Sequence, residues 1–288
     1  MQKGSGEMSG RICMITGTTS GIGKATALGL AKMGATVVMV SRDEARGRAA
    51  MDDIKKITAN ESIDLIVADL SSQESIHNLS EDFRDKFQNL HVLINNAGLT
   101  AEHQTLSVDG IDKLFAVNYL APFLLTNLLL DLLKASAPAR VVNVSSGAHS
   151  FGRINFDDLQ GKKRSAMRAY GDTKLALQLF TNELARKLEG TGVTVNALHP
   201  GVVATNINSR DSSPFMLRLF WKILKPLMSS PEKGAQTSIY LASSPEVDGV
   251  SGKYFVKKKE TKSSKESSDE SISQRLWQVS AELTKVGR

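Results

Sequence analysis

The sequence predicts a single doubly wound α/β domain, with a parallel sheet and helices on both faces. Three observations carry this. Apolar, β-branched runs alternate with amphipathic stretches through most of the chain. A glycine-rich turn, Thr16-Gly17-Thr18-Thr19-Ser20-Gly21-Ile22-Gly23, joins the first run to the first helical pattern. The chain's 288 residues, 41% of them hydrophobic, suffice to bury one large core. The expected organisation is a short polar tail over 1–9, the α/β domain over 10–256, a charged flexible linker over 257–273 and an amphipathic helix over 274–288.

The elements follow in order. Ile12-Cys13-Met14-Ile15 reads as a strand, and Lys24 to Met33 as a helix closed by Gly34 at its C′ position. Thr36-Val37-Val38-Met39-Val40 reads as a buried parallel strand, completing a βαβ unit. In such a unit glycines let the backbone approach a pyrophosphate, and the helix N-terminus offers free N–H groups. Gly17, Thr19, Ser20, Gly21, Ile22 and Gly23 are therefore candidate dinucleotide contacts; a tight turn needing glycine for shape alone is the plainer alternative. The second strand ends in Ser41-Arg42, where an acidic residue would have received a ribose 2′-OH. A guanidinium there suits a 2′-phosphate, which points to NADP(H) over NAD, or else it simply caps the sheet. Asp43 reads as the N-cap of the helix from Glu44.

Val92-Leu93-Ile94 is a strand delivering Asn95-Asn96-Ala97-Gly98 to its carboxyl end, where open α/β sheets bind ligands. Asp112 to Lys134 reads as a long helical stretch containing Asn118; an asparagine inside a helix more often makes a local hydrogen bond than a proton relay. Val141 to Val144 is a strand ending at Ser145-Ser146, whose hydroxyls either polarise a substrate carbonyl or cap the next segment. Tyr170-Gly171-Asp172-Thr173-Lys174 then places a phenol and an ammonium four apart on one helix face. A lone phenol titrates near pH ~10, and bringing it to neutrality takes about 4 kcal/mol. A unit charge at ~4 Å supplies about that at an effective dielectric of ~20. Leu177, Phe180, Leu184 and Leu188 continue an apolar face after it.

Taken together, these residues resemble a short-chain dehydrogenase/reductase over roughly residues 10 to 256. The matching features are T-G-x-x-x-G-I-G (Thr16 to Gly23), D-L (Asp69-Leu70), N-N-A-G (Asn95 to Gly98), Asn118, Ser146, Y-x-x-x-K (Tyr170, Lys174) and P-G (Pro200-Gly201). The resemblance implies a Rossmann-type catalytic domain with Tyr170 as general acid/base. Lys174 would lower its pKa and hold the nicotinamide ribose. Ser146, with Ser145 as the neighbouring alternative, would orient the carbonyl, and Asn118 would organise a water-linked proton path. Asp69 would meet the adenine ring and Val203 and Thr205 the carboxamide, with Leu70 and Asn96 also among the cofactor contacts. The long insert 147–169, with Ala148-His149 and Ile154 to Leu159, is similar to NADP-linked retinol dehydrogenases, as are Leu198 to Val203 and Gln274 to Ser280. Met1 to Gly10 is polar where the membrane-bound members of that group begin with an apolar anchor. The implied activity is NADP(H)-dependent conversion of a hydrophobic alcohol or carbonyl, retinal-like or lipid-derived. A steroid or quinone reductase on the same site, or a non-catalytic NADP-binding scaffold, are the competing readings.

Composition bounds the rest. The single cysteine, Cys13, excludes an internal disulfide and fits a reducing compartment. No metal-ligand spacing is present, so no metal is expected. No run of ~18 apolar residues and no signal peptide is found, which predicts a cytoplasmic protein. The net charge of +6 gathers around Lys257-Lys258-Lys259 without interleaved aromatics, which argues against nucleic acid. Residues 214–228, apolar, aromatic and basic, read as a substrate lid, a core-facing helix or a peripheral membrane contact. Leu276, Val279, Leu283 and Val286 recur at helical spacing, as a helix docking on the core would require. The oligomeric state stays open.

Overall fold

The structure, a computed structural model, describes residues 6–100, 103–201 and 229–286. Val203, Thr205 and the segment 214–228 lie outside the described residues. The first half alternates strictly: β1 (Ile12–Thr16), α1 (Gly21–Lys32), β2 (Thr36–Ser41), α2 (Glu44–Thr58), β3 (Ile63–Val67), α3 (Gln73–Lys86) and β4 (Val92–Asn95). Then come α4 (Lys113–Phe115), a π-turn (Ala116–Leu120), α5 (Ala121–Leu128), α6 (Leu130–Ala135), β5 (Ala139–Val144), a 3₁₀ turn (Gly147–Phe151), α7 (Ala166–Lys187) and β6 (Val193–His199). The chain closes with α8 (Pro231–Ser243), β7 (Tyr254–Val256), β8 (Lys259–Glu260) and α9 (Glu270–Thr284).

The described strands form one eight-stranded sheet in the order β3-β2-β1-β4-β5-β6-β7-β8. All neighbours are parallel except β7 and β8. After β3 the chain crosses back past β1 to lay down β4. Connections from β1 and β4 therefore leave in opposite directions and open a crevice at their carboxyl ends. Strand residues alternate between two buried layers. Met14, Val38 and Val40 join Phe83, Phe123 and Phe180 on one face. Cys13, Ile15, Val37 and Met39 join Leu30, Ile54 and Leu241 on the other. Burial on both faces is why these strands read as unbroken apolar runs.

Helix starts follow the expected chemistry. The Asp43 carboxylate accepts from Arg46 N at 3.0 Å and caps α2. The stretch from Asp112 is not one helix, however. The Ala121 N–H reaches Ala116 O, a π-type bond, and Pro122 sits in the next turn. Proline has no N–H to continue the regular ladder, so the register widens there.

The charged segment 257–273 is not a free linker. Lys257 and Lys258 turn at φ +52° and +64°, folding β8 back on β7. The Thr261 N–H donates to Tyr254 O at 2.8 Å, and the Asn182 amide donates to Ser267 O at 2.6 Å. Arg153 pairs with Glu266. Serines that suggest solvation by composition instead bond to one another, as the buried Ser267 hydroxyl does to Ser264 O at 2.6 Å. The last helix begins at Glu270, earlier than expected, capped by Asp269. Leu276 is buried, and Leu283 and Val286 pack half-buried on the core as expected, but the other fully buried positions are Ser273, Ser280 and Thr284. Trp277 packs between Phe123 (5.0 Å between ring centres) and Phe180 (5.9 Å).

Candidate active site

The crevice is framed by the glycine turn after β1. Thr16 Oγ1 accepts from the backbone N–H groups of Asn96 (3.0 Å) and Ala97 (2.9 Å). The Asn96 amide donates back to Thr16 O (2.8 Å) and Gly17 O (3.3 Å). Asn96 thus holds the turn in shape. Gly17 takes φ +74°, and a Cβ on it would stand 2.9 Å from Ala97 Cα. A Cβ on Gly23 would stand 2.2 Å from Gly17 O, so α1 sits flush on the turn only with glycine there. Ser20 is the N-cap of α1 but its side chain makes no capping bond, and the first turn carries no acidic residue. The helix therefore presents uncommitted N–H groups and positive partial charge to the crevice, flanked by part-exposed Thr19, Ser20, Gly21 and Ile22. That donor set fits a pyrophosphate.

At the end of β2 the Ser41 hydroxyl is buried and donates to Asp43 O at 2.8 Å, so it shapes the turn. Arg42 stands exposed there, as do Asp43 and Glu44 after it. Asp69 receives the N–H (2.9 Å) and hydroxyl (2.8 Å) of Ser71 on one carboxylate oxygen, while Leu70 packs against the core.

Ser146, Tyr170, Lys174 and Asn118 come together around the end of β5. The Ser145 hydroxyl is buried and donates to Lys174 O at 3.2 Å. Ser146 is the part-exposed one of the pair, with its Oγ accepting from Ala148 N at 3.2 Å and lying beside the Tyr170 phenol. Lys174 is only 4% exposed; its Nζ donates to Val144 O at 3.1 Å and lies 5.7 Å from the Tyr170 ring centre. Burial brings the Lys174 pKa down to about 8. Burial also raises the Tyr170 phenol, and the neighbouring Ser146 hydroxyl opposes that rise. This differs from the expectation that the neighbouring ammonium lowers the phenol. Both groups are desolvated, so burial disfavours the charged form of each.

Asn118 lies in the π-turn and bridges three segments. Its Oδ1 accepts from Leu99 N (2.8 Å), and its Nδ2 donates to Leu99 O (3.0 Å) and Thr173 Oγ1 (3.2 Å). A Cβ on Gly98 would stand 3.4 Å from Asn118 Oδ1 and 3.6 Å from Lys174 Nζ, so Gly98 touches both. Motif reading assigned no role to Thr16, Thr173 or Asp172. Asp172 accepts from Arg153 N (2.7 Å) and Arg164 Nη2 (2.9 Å), pinning both ends of the insert 147–169 to α7. Hydroxyls and a carboxylate next to motif positions were the available signal. Phe151 and Met167 leave apolar surface exposed by the first turns of α7.

Comparison with known proteins adds a second line. The family model described as short chain dehydrogenase matches residues 11–214. Retinol dehydrogenase 12 of Mus musculus is 45% identical, covering 96% of this chain and 87% of that protein. A solved structure of an uncharacterized protein from Mycobacterium Paratuberculosis superposes with a TM-score of 0.78 at 34% identity, covering 96% of this chain and 94% of that one. The Pseudomonas aeruginosa RhlG/NADP active-site complex superposes with a TM-score of 0.69 at 27% identity, covering 87% of this chain and 96% of that one.

Proposed function

Because the chain belongs to the short-chain dehydrogenase family, in its retinol dehydrogenase group, we propose that it reduces a hydrophobic aldehyde or ketone with NADPH. Membership makes it an oxidoreductase acting on CH–OH groups with a nicotinamide cofactor. The observation that carries the finer reading is the buried Lys174, its ammonium on Val144 O and 5.7 Å from the Tyr170 ring centre, with Ser146 beside the phenol. Bound NADPH would supply the hydride. Arg42 would grip the 2′-phosphate, the α1 N-terminus the pyrophosphate, and Asp69 the adenine edge. Ser146 would orient the substrate carbonyl by donating to its oxygen, and Tyr170 would give that oxygen its proton. The Lys174 ammonium would then stabilise the phenolate left behind. Asn118, by clamping Leu99 and Thr173, would hold the floor of the site and organise a water-linked proton path. The exposed Phe151 and Met167 favour a greasy substrate, whose burial contributes about 25 cal/mol per Å². A peripheral membrane contact through 214–228 would bring such substrates within reach.

The test is NADPH consumption with all-trans-retinal and a panel of long-chain aldehydes, ketones and quinones. Tyr170→Phe should lower kcat by about 100-fold or more. Unchanged turnover in that variant would sink the mechanism. NADPH binding without turnover on any panel member would favour a non-catalytic NADP-binding protein.

A further inference from the structure

We infer that His149 and His199 clamp the Ser146–Gly147 peptide from its two edges, and that both are positioning residues for the Ser146 hydroxyl. The inference rests on the reading of Ser146 as the carbonyl-orienting group. The Ser146 carbonyl and the Gly147 N–H belong to one peptide unit. His149 Nδ1 lies 2.7 Å from Ser146 O, and the Gly147 N–H donates to His199 Nδ1 at 3.2 Å. One hydrogen bond would let the peptide plane swing about the axis joining its Cα atoms. Bonds on opposite edges stop that motion.

The partners also fix where the protons sit. The Ser264 backbone N–H donates to His149 Nε2 at 3.3 Å. A backbone amide can only donate, so Nε2 holds a lone pair and the proton of the neutral ring is on Nδ1, aimed at Ser146 O. By the same argument the His199 Nδ1 holds a lone pair, and its proton is on Nε2. The two rings are thus neutral and in opposite tautomers. His149 is 4% exposed and packs on the Tyr254 ring at 4.7 Å between centres. Burial lowers the pKa of both imidazoles, which agrees with neutral rings.

A fixed Ser146–Gly147 plane holds ψ of Ser146 at 156° and so helps to aim its Cα–Cβ bond. The hydroxyl is thereby kept beside Tyr170 while its oxygen accepts from Ala148 N. The clamp also joins three distant pieces of chain: the ends of β5 and β6, and the segment that folds back at Ser264. Small errors in such a hydroxyl are costly, because transition-state donors act only when already aimed.

The experiment uses the full chain with NADPH and the best carbonyl of the panel. His149→Leu and His199→Leu remove the two imidazole bonds and leave on this peptide the 3.2 Å bond from the His149 backbone N–H to Ser146 O. His149→Asn keeps an N–H donor near the Nδ1 position, and His199→Asn keeps an acceptor there. The Leu variants should lose about tenfold or more in kcat, with the NADPH Kd, read by fluorescence, changed less than about twofold. The Asn variants should recover most of kcat. Wild-type kcat in the Leu variants overturns the clamp, and so does equal loss in Asn and Leu variants. A second measurement needs no variant: imidazole ¹⁵N shifts of the wild type should show Nδ1–H for His149 and Nε2–H for His199. The same tautomer in both rings, or a charged ring at neutral pH, overturns it as well. An active Tyr170→Phe would refute the proposed function and leave the tautomer result standing; an inactive one beside fully active Leu variants would refute the clamp alone.

Discussion

Lys174 is buried with its ammonium on the Val144 carbonyl, and its pKa of about 8 sets how the site should answer to pH. In the proposed reduction a phenolate left at Tyr170 would need that positive charge nearby. As pH rises through about 8, Lys174 loses its proton and kcat for reduction should fall. Lys174→Arg should move that falling limb to higher pH wherever the longer side chain fits; a kcat–pH profile flat to pH ~10 in the wild type would contradict the assignment. Arg42 is tested separately. Arg42→Asp would exchange the proposed 2′-phosphate partner for a repelling carboxylate, so the KM for NADPH should rise about 100-fold while NADH improves. Steady-state kinetics with the two cofactors decide it. Both residues could be picked out in the sequence, one by the Y-x-x-x-K spacing and one by its place after a β-branched strand. The direction in which Tyr170 titrates could not, because it depends on burial that only packing creates.

The C-terminal helix shows how an element can be half legible. Leu276, Leu283 and Val286 are recognisable as core contacts, whereas the fully buried Ser273, Ser280 and Thr284 are revealed by no apolar pattern. Their hydroxyls bond to carbonyls of their own helix, as Ser280 does to Leu276 O at 2.7 Å, which makes them small and satisfied enough to bury. Ser280 also meets the buried phenol of Tyr119 at 2.6 Å. Ser280→Ala would strand that phenol and should cost about 1–3 kcal/mol. Tyr119→Phe should cost less, since Ser280 keeps its carbonyl, and adding Ser280→Ala to it should cost little more. Denaturant melts of the two single variants and the double variant check this; strictly additive losses would mean the contact carries no energy. The π-turn around Asn118 was hidden for another reason. Pro122 signals a break, but whether a ladder widens or kinks is decided by what packs on it, here Leu99 and Thr173.

For the whole molecule, alternation of runs gave the doubly wound sheet, and the motif residues map to the carboxyl ends of β1, β4 and β5. What composition misjudged was the tail, because a polar segment earns order when backbone partners wait for it. The folded chain also holds His91, His149 and His199 below their ordinary pKa of 6.5, mainly through burial. Below that pH the unfolded chain takes up more protons than the folded one, so stability rises with pH there and is lost on acidification. The melting temperature should therefore drop as pH is lowered from 7 toward 5.5, by more than in a His149→Asn variant. A pH-independent Tm over that range would contradict it. The order of the strands has one further consequence. The sheet's last strand, β8, has two residues, Lys259 and Glu260, both exposed and charged, reached through a pair of lysines. Such a rim offers an approaching chain too little backbone to pair with and repels it besides, so the hairpin guards this side of the protein against edge-to-edge aggregation.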